Sequence, residues 1–320
     1  MNHNLQIPTS KHFRLQQLAE GVYAAIYIEG GTAMSNAGIV DLGDYTLIYD
    51  TFMTPQAAED LRLAAETLTG RPVDMVINSH LHYDHIWGNQ VFSPNTKIIS
   101  TEETRRLIIS TRGHVNLDGL MADAEANLTA WRTQLQAATE ESQRRQFALW
   151  VDFFQGIIET KPILQVRAPN LTFTERLLFH GTNRSAELIP FVGGHTQSDA
   201  ILFLPQEGIA FMSDLLFVEN HPYLGGSDID QLLRILDEIS GLNPKLLVPG
   251  HGPVGTIDSL AQMTDYVQTL DELARKMVEA GEIEESISTM NIPEPYADWL
   301  LASFFAGNMN FLYQRWQGKQ

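Results

Sequence analysis

The chain of 320 residues carries 21 Lys+Arg against 39 Asp+Glu, a net charge of −18 with His neutral. Its 44% hydrophobic and 19% charged residues describe a globular chain long enough to bury a large core, not a disordered one. The charge disfavours a phosphate-backbone partner, and the lack of cysteine excludes disulfides, thiolate zinc sites, cysteine nucleophiles and iron–sulfur clusters.

Met1-Asn2-His3-Asn4 lacks a basic region leading into an apolar stretch, so no secretory leader is expected. No apolar run reaches about 18 residues, so no membrane span is expected either. A cytoplasmic location and a small-molecule partner, with neither nucleic acid nor membrane, follow as expectations. Short β-type runs come first: Gly21 to Ile28, Ser35 to Val40 and Tyr45 to Asp50, divided by glycines. A helix follows, with Thr54 as its cap, Pro55 in its first turn, Ala58, Leu61, Ala65 and Leu68 on one face, and Gly70 with Pro72 to stop it. Val73 to Asn78 reads as a compact strand, and Lys97 to Ile99 as another. Ser100 and Glu103 suggest a capping box for the next helix.

Residues from about 118 to 160 differ in composition, rich in Ala, Gln, Glu and Leu with Trp131, Phe147, Trp150, Phe153 and Phe154. They read as two helices inserted into the pattern, their aromatics packing on the body, with a lid over a site as the alternative. Strands return at Arg176 to Phe179, Glu187 to Val192, Ala200 to Leu204 and Gly208 to Met212. A helix near Asp228 to Ile239 precedes the strand Lys245 to Val248. Leu260, Met263, Val267, Leu270, Leu273 and Met277 mark a long amphipathic helix. An aromatic-rich tail follows Pro293 and Pro295, expected to be helical and to pack on the domain or on a partner chain as a homodimer contact. Two runs of strands, each closed by helices, fit a sandwich of two mixed sheets with helices outside. We expect one domain over 1–320, with the insertion at about 118–160 and a helical extension at about 257–320.

His80, His82, Asp84 and His85 fall within six positions, directly after a buried-type strand. Imidazole and carboxylate are the usual ligands of zinc and related cations. On an extended strand end His80 and His82 point the same way, and a turn after Tyr83 brings Asp84 and His85 to a second nearby point. A polar loop with surface histidines is the plainer reading, and the crowding argues against it. Gly194-His195-Thr196, Ser213-Asp214 and Gly250-His251-Gly252 each follow a strand. Singly each is a turn residue beside a flexible neighbour. Together they complete five His and two Asp.

With these residues in hand, the sequence resembles the metallo-β-lactamase superfamily. His80-Leu81-His82-Tyr83-Asp84-His85 matches its HxHxDH signature, the later motifs match in order, and Asp50 matches its structural aspartate. The resemblance covers roughly residues 20 to 255. It implies an α/β fold, a four-layer αββα sandwich, with a dinuclear metal centre at one edge. Carried over, His80, His82 and His195 hold a first ion, Asp84, His85 and His251 hold a second, and Asp214 bridges. Two divalent ions are implied, zinc first, with iron or manganese as alternatives. Their shared hydroxide is the nucleophile, and Asp84 is the candidate to orient it and take its proton. The absent cysteine and the bridging Asp214 place the chain nearer glyoxalase II-like and lactonase-like members. His82 argues against the flavin-linked di-iron branch, which carries Glu there.

The expected activity is therefore hydrolysis of an ester, thioester, lactone or amide. The alternatives are a mononuclear iron persulfide dioxygenase, a small-molecule phosphodiesterase or a non-catalytic binding protein, with β-lactam cleavage at most a side activity. Candidate substrate contacts are His221 and Tyr223, in a loop ending Gly225-Gly226, with a surface turn as the alternative. Met34 and Asn36 lie in a hairpin-like segment that would overhang the site. His12, His114 and His180 have no motif company and read as structural or exposed.

Overall fold

The computed structural model describes residues 7–113 and 118–318. The first positions of the chain, His114 and the last two positions of the extension lie outside the described residues. Strands β1 (Phe13–Ala19), β2 (Val22–Tyr27), β3 (Ala37–Asp41) and β4 (Thr46–Tyr49) form an antiparallel run. Helix α1 (Pro55–Thr69) then crosses to β5 (Met75–Ile77), parallel to β4. Thr54 caps α1 by accepting from the Ala57 N–H, and Gly70 ends it in the left-handed region at φ 67°, as the sequence predicts. The short helix α2 (Tyr83–Ile86), β6 (Lys97–Thr101) and α3 (Glu102–Thr111) follow. The α3 cap is Thr101, whose hydroxyl accepts from the Thr104 N–H, and not Ser100. Ser100 remains within β6 and gives its hydroxyl to the Thr101 carbonyl.

The insertion holds three helices where two are expected: α4 (Asp118–Ala122), α5 (Ala124–Ala137) and α6 (Glu141–Thr160). Strand β7 (Leu171–Phe173) completes a seven-stranded sheet in the order β1 to β7. The second sheet comprises β8 (Leu177–His180), β9 (Ser185–Val192), β10 (Ser198–Leu204), β11 (Ile209–Phe217) and β12 (Leu246–His251). Its order runs β12-β11-β10-β9-β8, antiparallel except for the β11–β12 pair. Pro190 sits in β9 beyond the reach of β8, where it faces no ladder partner on that side and its missing N–H costs nothing.

Side chains from both sheets meet in one interior, including Val22, Leu47, Tyr49, Leu202, Phe211 and Val248. The Tyr49 hydroxyl crosses the gap to the Ala200 carbonyl at 2.7 Å. Helix α1 covers the outer face of the first sheet with Ala57, Leu61, Ala64 and Ala65. Helices α7 (Ile229–Gly241), α8 (Ile257–Ala280) and α9 (Ser303–Trp316), together with the insertion, cover the second. The result is the four-layer αββα sandwich. In α8, Leu260, Met263, Val267, Leu270 and Met277 are buried at helical spacing, whereas Leu273 is only half-buried.

The extension is helical and packs on the domain, as expected, except between α8 and α9. After α8 it makes one short 3-10 segment, Glu284–Thr289, and runs without helix until Ser303. Pro293 and Pro295 remove amide donors there and restrict the residues before them. Leu300 instead pairs with Asn220 as a single parallel β-bridge, donating its N–H to Glu219 O at 2.9 Å and accepting from His221 N–H at 2.8 Å. Helix α9 then packs on α8 and buries Phe305, Met309, Leu312 and Tyr313.

Candidate metal centre

Seven side chains converge where β5, β9, β11 and β12 end along one edge of the sandwich. The loop leaving β5 carries His80 and His82, and α2 carries Asp84 and His85. His195 lies in the β9–β10 connection, and His251 is the last residue of β12. Asp214 does not sit on a loop after its strand, as the sequence suggests. It lies within β11, at a bulge where Ser213 takes a left-handed φ of 48°, and such bulges redirect a side chain.

The ligand atoms fall into two groups, each within 4.8 Å: His80, His82, His195 and Asp214, then Asp84, His85 and His251. Asp214 faces both. Its Oδ2 lies 3.3 Å from His195 Nε2 and 3.8 Å from His80 Nε2, while its Oδ1 lies 3.1 Å from His85 Nε2 and 3.5 Å from His251 Nε2. Asp84 Oδ2 completes the second group, 3.4 Å from His251 Nε2 and 3.5 Å from His85 Nε2. His82 Nδ1 and His195 Nε2 face each other at 3.0 Å. A Cβ on Gly250 would collide with Asp214 Oδ1 and the Ser213 backbone, so glycine is required beside Asp214.

These residues fit a cation. His80 Nε2, His85 Nε2 and Asp214 Oδ1 are buried yet form no hydrogen bond of proper geometry among the described residues, an arrangement that is costly unless something fills the gap. Burial holds His80 and His82 below the ordinary imidazole value and takes His195 down to about 3, so their lone pairs are free at neutral pH. Burial also acts against charge on His85 and His251, but Asp214 and Asp84 overcome it, raising His85 well above its ordinary value and His251 to about 9. Burial pushes both carboxyls up, and the same two imidazoles outweigh it and hold Asp84 and Asp214 below their ordinary values. Positive charge is thus wanted in the second group, whichever proton or cation supplies it.

Outer partners fix the ring orientations. Asp50 Oδ2 accepts from His85 Nδ1 at 2.8 Å and from the Ser79 and Ser213 hydroxyls, while its Oδ1 accepts from the Ser79 N–H. That leaves His85 Nε2 for the site. Ser79, Ser213 and Asp199 were not legible as functional. Asp199 accepts from the Thr196 N–H and hydroxyl and so holds the turn carrying His195; its position three residues after Thr196, where a hydroxyl and a carboxylate close a turn, is the signal that could have found it.

A cavity of about 570 Å³ opens over the cluster, and His82, Asp84, His195, Asp214 and His251 form its floor. Tyr223 lines it, its ring 6.3 Å from His82 and 6.4 Å from His195. His221 does not. It is fully buried, with Nδ1 at 2.9 Å from the Tyr266 hydroxyl, packed on Trp299 and Phe305 and brought down to about 4 by burial. Pairing of its N–H with Leu300 turns it toward the helices and away from the cavity. Met34 and Asn36 both line the cavity, as expected; the Asn36 amide donates to the Pro249 and Gly252 carbonyls and its oxygen accepts from the Tyr27 N–H. Trp150 and Phe153 reach the cavity, so part of the insertion is a wall, while Trp131 stacks behind Trp150 and also contacts Phe147. His12 is buried against Thr32, as a structural role requires, and His180 is exposed at the end of β8.

Residues 30–251 match the family described as the metallo-beta-lactamase superfamily, and the chain belongs to that superfamily. It is 29% identical to the beta-lactamase-like protein 2 homolog of Caenorhabditis elegans over 107 residues, 33% of this chain and 35% of that one. The match therefore spans about a third of the curated relative's length. The metallo-beta-lactamase from Pontibacter korlensis superposes with a TM-score of 0.58 at 18% identity, covering 80% of this chain and 99% of its own. A stereoselective inverting sec-alkylsulfatase from Pseudomonas sp. superposes with a TM-score of 0.67 at 17% identity, covering 96% of this chain and 51% of its own. At these identities the two structures establish the fold alone. Among the described residues no helix is long and apolar enough to cross a membrane.

Proposed function

We propose that the chain is a dinuclear metal-dependent hydrolase acting on an ester, thioester, lactone or amide. The observation that carries this is the bridging pose of Asp214, one carboxylate oxygen toward each group of imidazoles. His80, His82 and His195 would hold one cation, Asp84, His85 and His251 the other, and Asp214 both. An all-imidazole and carboxylate donor set without thiolate suits zinc, and also iron or manganese. Such cations supply Lewis acidity, lowering the pKa of water toward about 7 and polarising the oxygen of the scissile group.

The chain's own groups do the rest. Asp84 lines the cavity and is ionised, so it can orient the attacking water and accept its proton. Tyr223 bounds the site on the side of His82 and His195 and positions the substrate there. No serine or cysteine is among the described residues lining the cavity, so the proposed attack is by water directly, with no acyl-enzyme.

The test joins metal analysis of purified protein to a panel of ester, thioester, lactone, amide, phosphodiester, β-lactam and secondary alkyl sulfate substrates. Two zinc-class ions per chain with carbonyl hydrolysis is the expected result. His82→Ala should lower metal content and abolish turnover while leaving the circular dichroism of the fold unchanged. One iron per chain with oxygen uptake, or full activity in His82→Ala, would overturn the reading.

A further inference from the structure

The cavity wall is built from parts of the chain that the metal motifs do not include. On one side stands α6, presenting Leu149, Trp150 and Phe153; on the other stands the tail, presenting Leu300, Leu301 and Phe304. Trp150 meets Phe304 edge to face at 6.1 Å, and Phe304 meets Tyr223 at 5.7 Å. An aromatic surface therefore runs without a break from the insertion to the rings beside His82 and His195. The two sides are tied together: Gln146 on α6 gives its amide to the Trp299 carbonyl at 2.7 Å and accepts from the Ala302 N–H at 3.2 Å.

Between those two hydrogen bonds Leu301 adopts φ 60°, a left-handed backbone that any residue with a Cβ resists. It is held there with its side chain 8% exposed and lining the cavity. Strain of this kind persists where the surroundings enforce it, most often at a ligand site. Apart from Asp84, Asp214 and the imidazoles of the ligand cluster, the charged residues of the lining balance, Arg14 and Arg145 against Glu29 and Glu219, and the chain as a whole carries −18. Neither the rim nor the long-range field rewards an anionic substrate.

We propose that this cavity selects substrates carrying a bulky uncharged apolar group, an acyl or alkyl chain or an aromatic ring, seated between α6 and the side chains of Leu300, Leu301 and Phe304 with the scissile bond over the metal-ligand cluster. The inference rests on the hydrolase reading above for the identity of the scissile bond, but the seating of the apolar group can be measured without turnover. The volume falls within the roughly 300–1,000 Å³ of small-ligand sites. Each methylene that the wall takes from water is worth up to about fourfold in affinity.

The experiment uses the metal-loaded full chain and two matched series. Butanamide, hexanamide and octanamide are titrated by calorimetry or by tryptophan fluorescence, and the p-nitrophenyl esters of the same acids are assayed for kcat/KM. Octanamide should bind at least about tenfold tighter than butanamide, with the same trend in the esters. Phe304→Ala and Leu301→Gly should flatten both series to within about threefold, Leu301→Gly being compatible with the local backbone. Phe304→Leu should keep the gradient, which guards against a folding defect in the alanine variant.

A chain-length gradient in binding with no ester, lactone, thioester or amide turned over would overturn the hydrolase reading and leave the apolar seat standing. Turnover with no gradient in either series would overturn the apolar seat alone. A gradient that survives both variants would also overturn the assignment to this wall.

Discussion

Asp50 touches no cavity, yet it fixes which nitrogen of His85 is offered to the site. Asp50→Ala would leave that ring free to turn and the Ser79 and Ser213 hydroxyls without their acceptor. The expected outcome is a loss of metal affinity of about 10- to 100-fold, read by competition with a chromogenic chelator. Asp152 on α6 makes a different kind of contact. It accepts from the Tyr27 hydroxyl at 2.5 Å and the Gly30 N–H at 2.8 Å, tying the insertion to the β2–β3 connection. Burial raises its carboxyl to about 6 from 3.8, against the pull of those two donors. A folded-state value above the unfolded one favours the protonated form in the native chain. The associated stabilisation is complete below about 3.8 and is lost as pH rises through about 6. Asp152→Asn retains an acceptor for both donors and does not titrate. Its urea-unfolding stability relative to wild type should therefore rise between pH 4 and 6, by about 3 kcal/mol at most, and level off above. A difference that stays constant over that range would remove Asp152 from the account.

Helix α9 has no side-chain hydrogen bond at its N-cap and no acidic residue in its first turn, so its neighbours hold it. Its buried face lies on α8, with Leu312 fully enclosed. Leu312→Ala should cost about 2–5 kcal/mol, read as a fall in the urea midpoint at unchanged slope. Where an element carries a periodic face and its own stop signals, the sequence located it: α1 between Thr54 and Gly70, and the strand-then-ligand segments at His80, His195 and His251. Six of the seven candidate ligands are legible because they follow or end an apolar run that must enter the core; Asp214 is legible by its motif, but it lies inside β11 and is turned to that edge by the bulge at Ser213. Elements fixed by tertiary contact were not legible. Strand β1 is half exposed and rich in Gln, and it declares itself only by pairing with β2. The stretch before α9 looked helical from its aromatics, but its shape comes from the bridge to Asn220 and the clasp of Gln146. His221 departs from its expected place in the cavity for the same reason: one residue separates it from Tyr223, and a backbone pairing with Leu300 that no local pattern encodes sends the two side chains to different places.

At the scale of the whole molecule, 39 acidic against 21 basic side chains must share one surface around a cluster that already holds buried carboxylates. Their mutual repulsion opposes the compact state and is screened by salt over a Debye length of about 8–10 Å at physiological ionic strength. Raising sodium chloride from about 10 to about 150 mM should therefore raise the thermal midpoint, measured by calorimetry at fixed metal loading. An unchanged or falling midpoint would mean that local ion pairs such as Arg62 with Glu59 and Glu66 offset the excess. The position of the cavity wall has a consequence for how the protein comes into being. Every donor atom has been synthesised once His251 has been added, whereas Leu300, Leu301 and Phe304 come about fifty residues later. The seven candidate ligands are thus all made before one bank of the channel above them, so the wall that narrows the approach to the cluster is the last part of the site to be supplied.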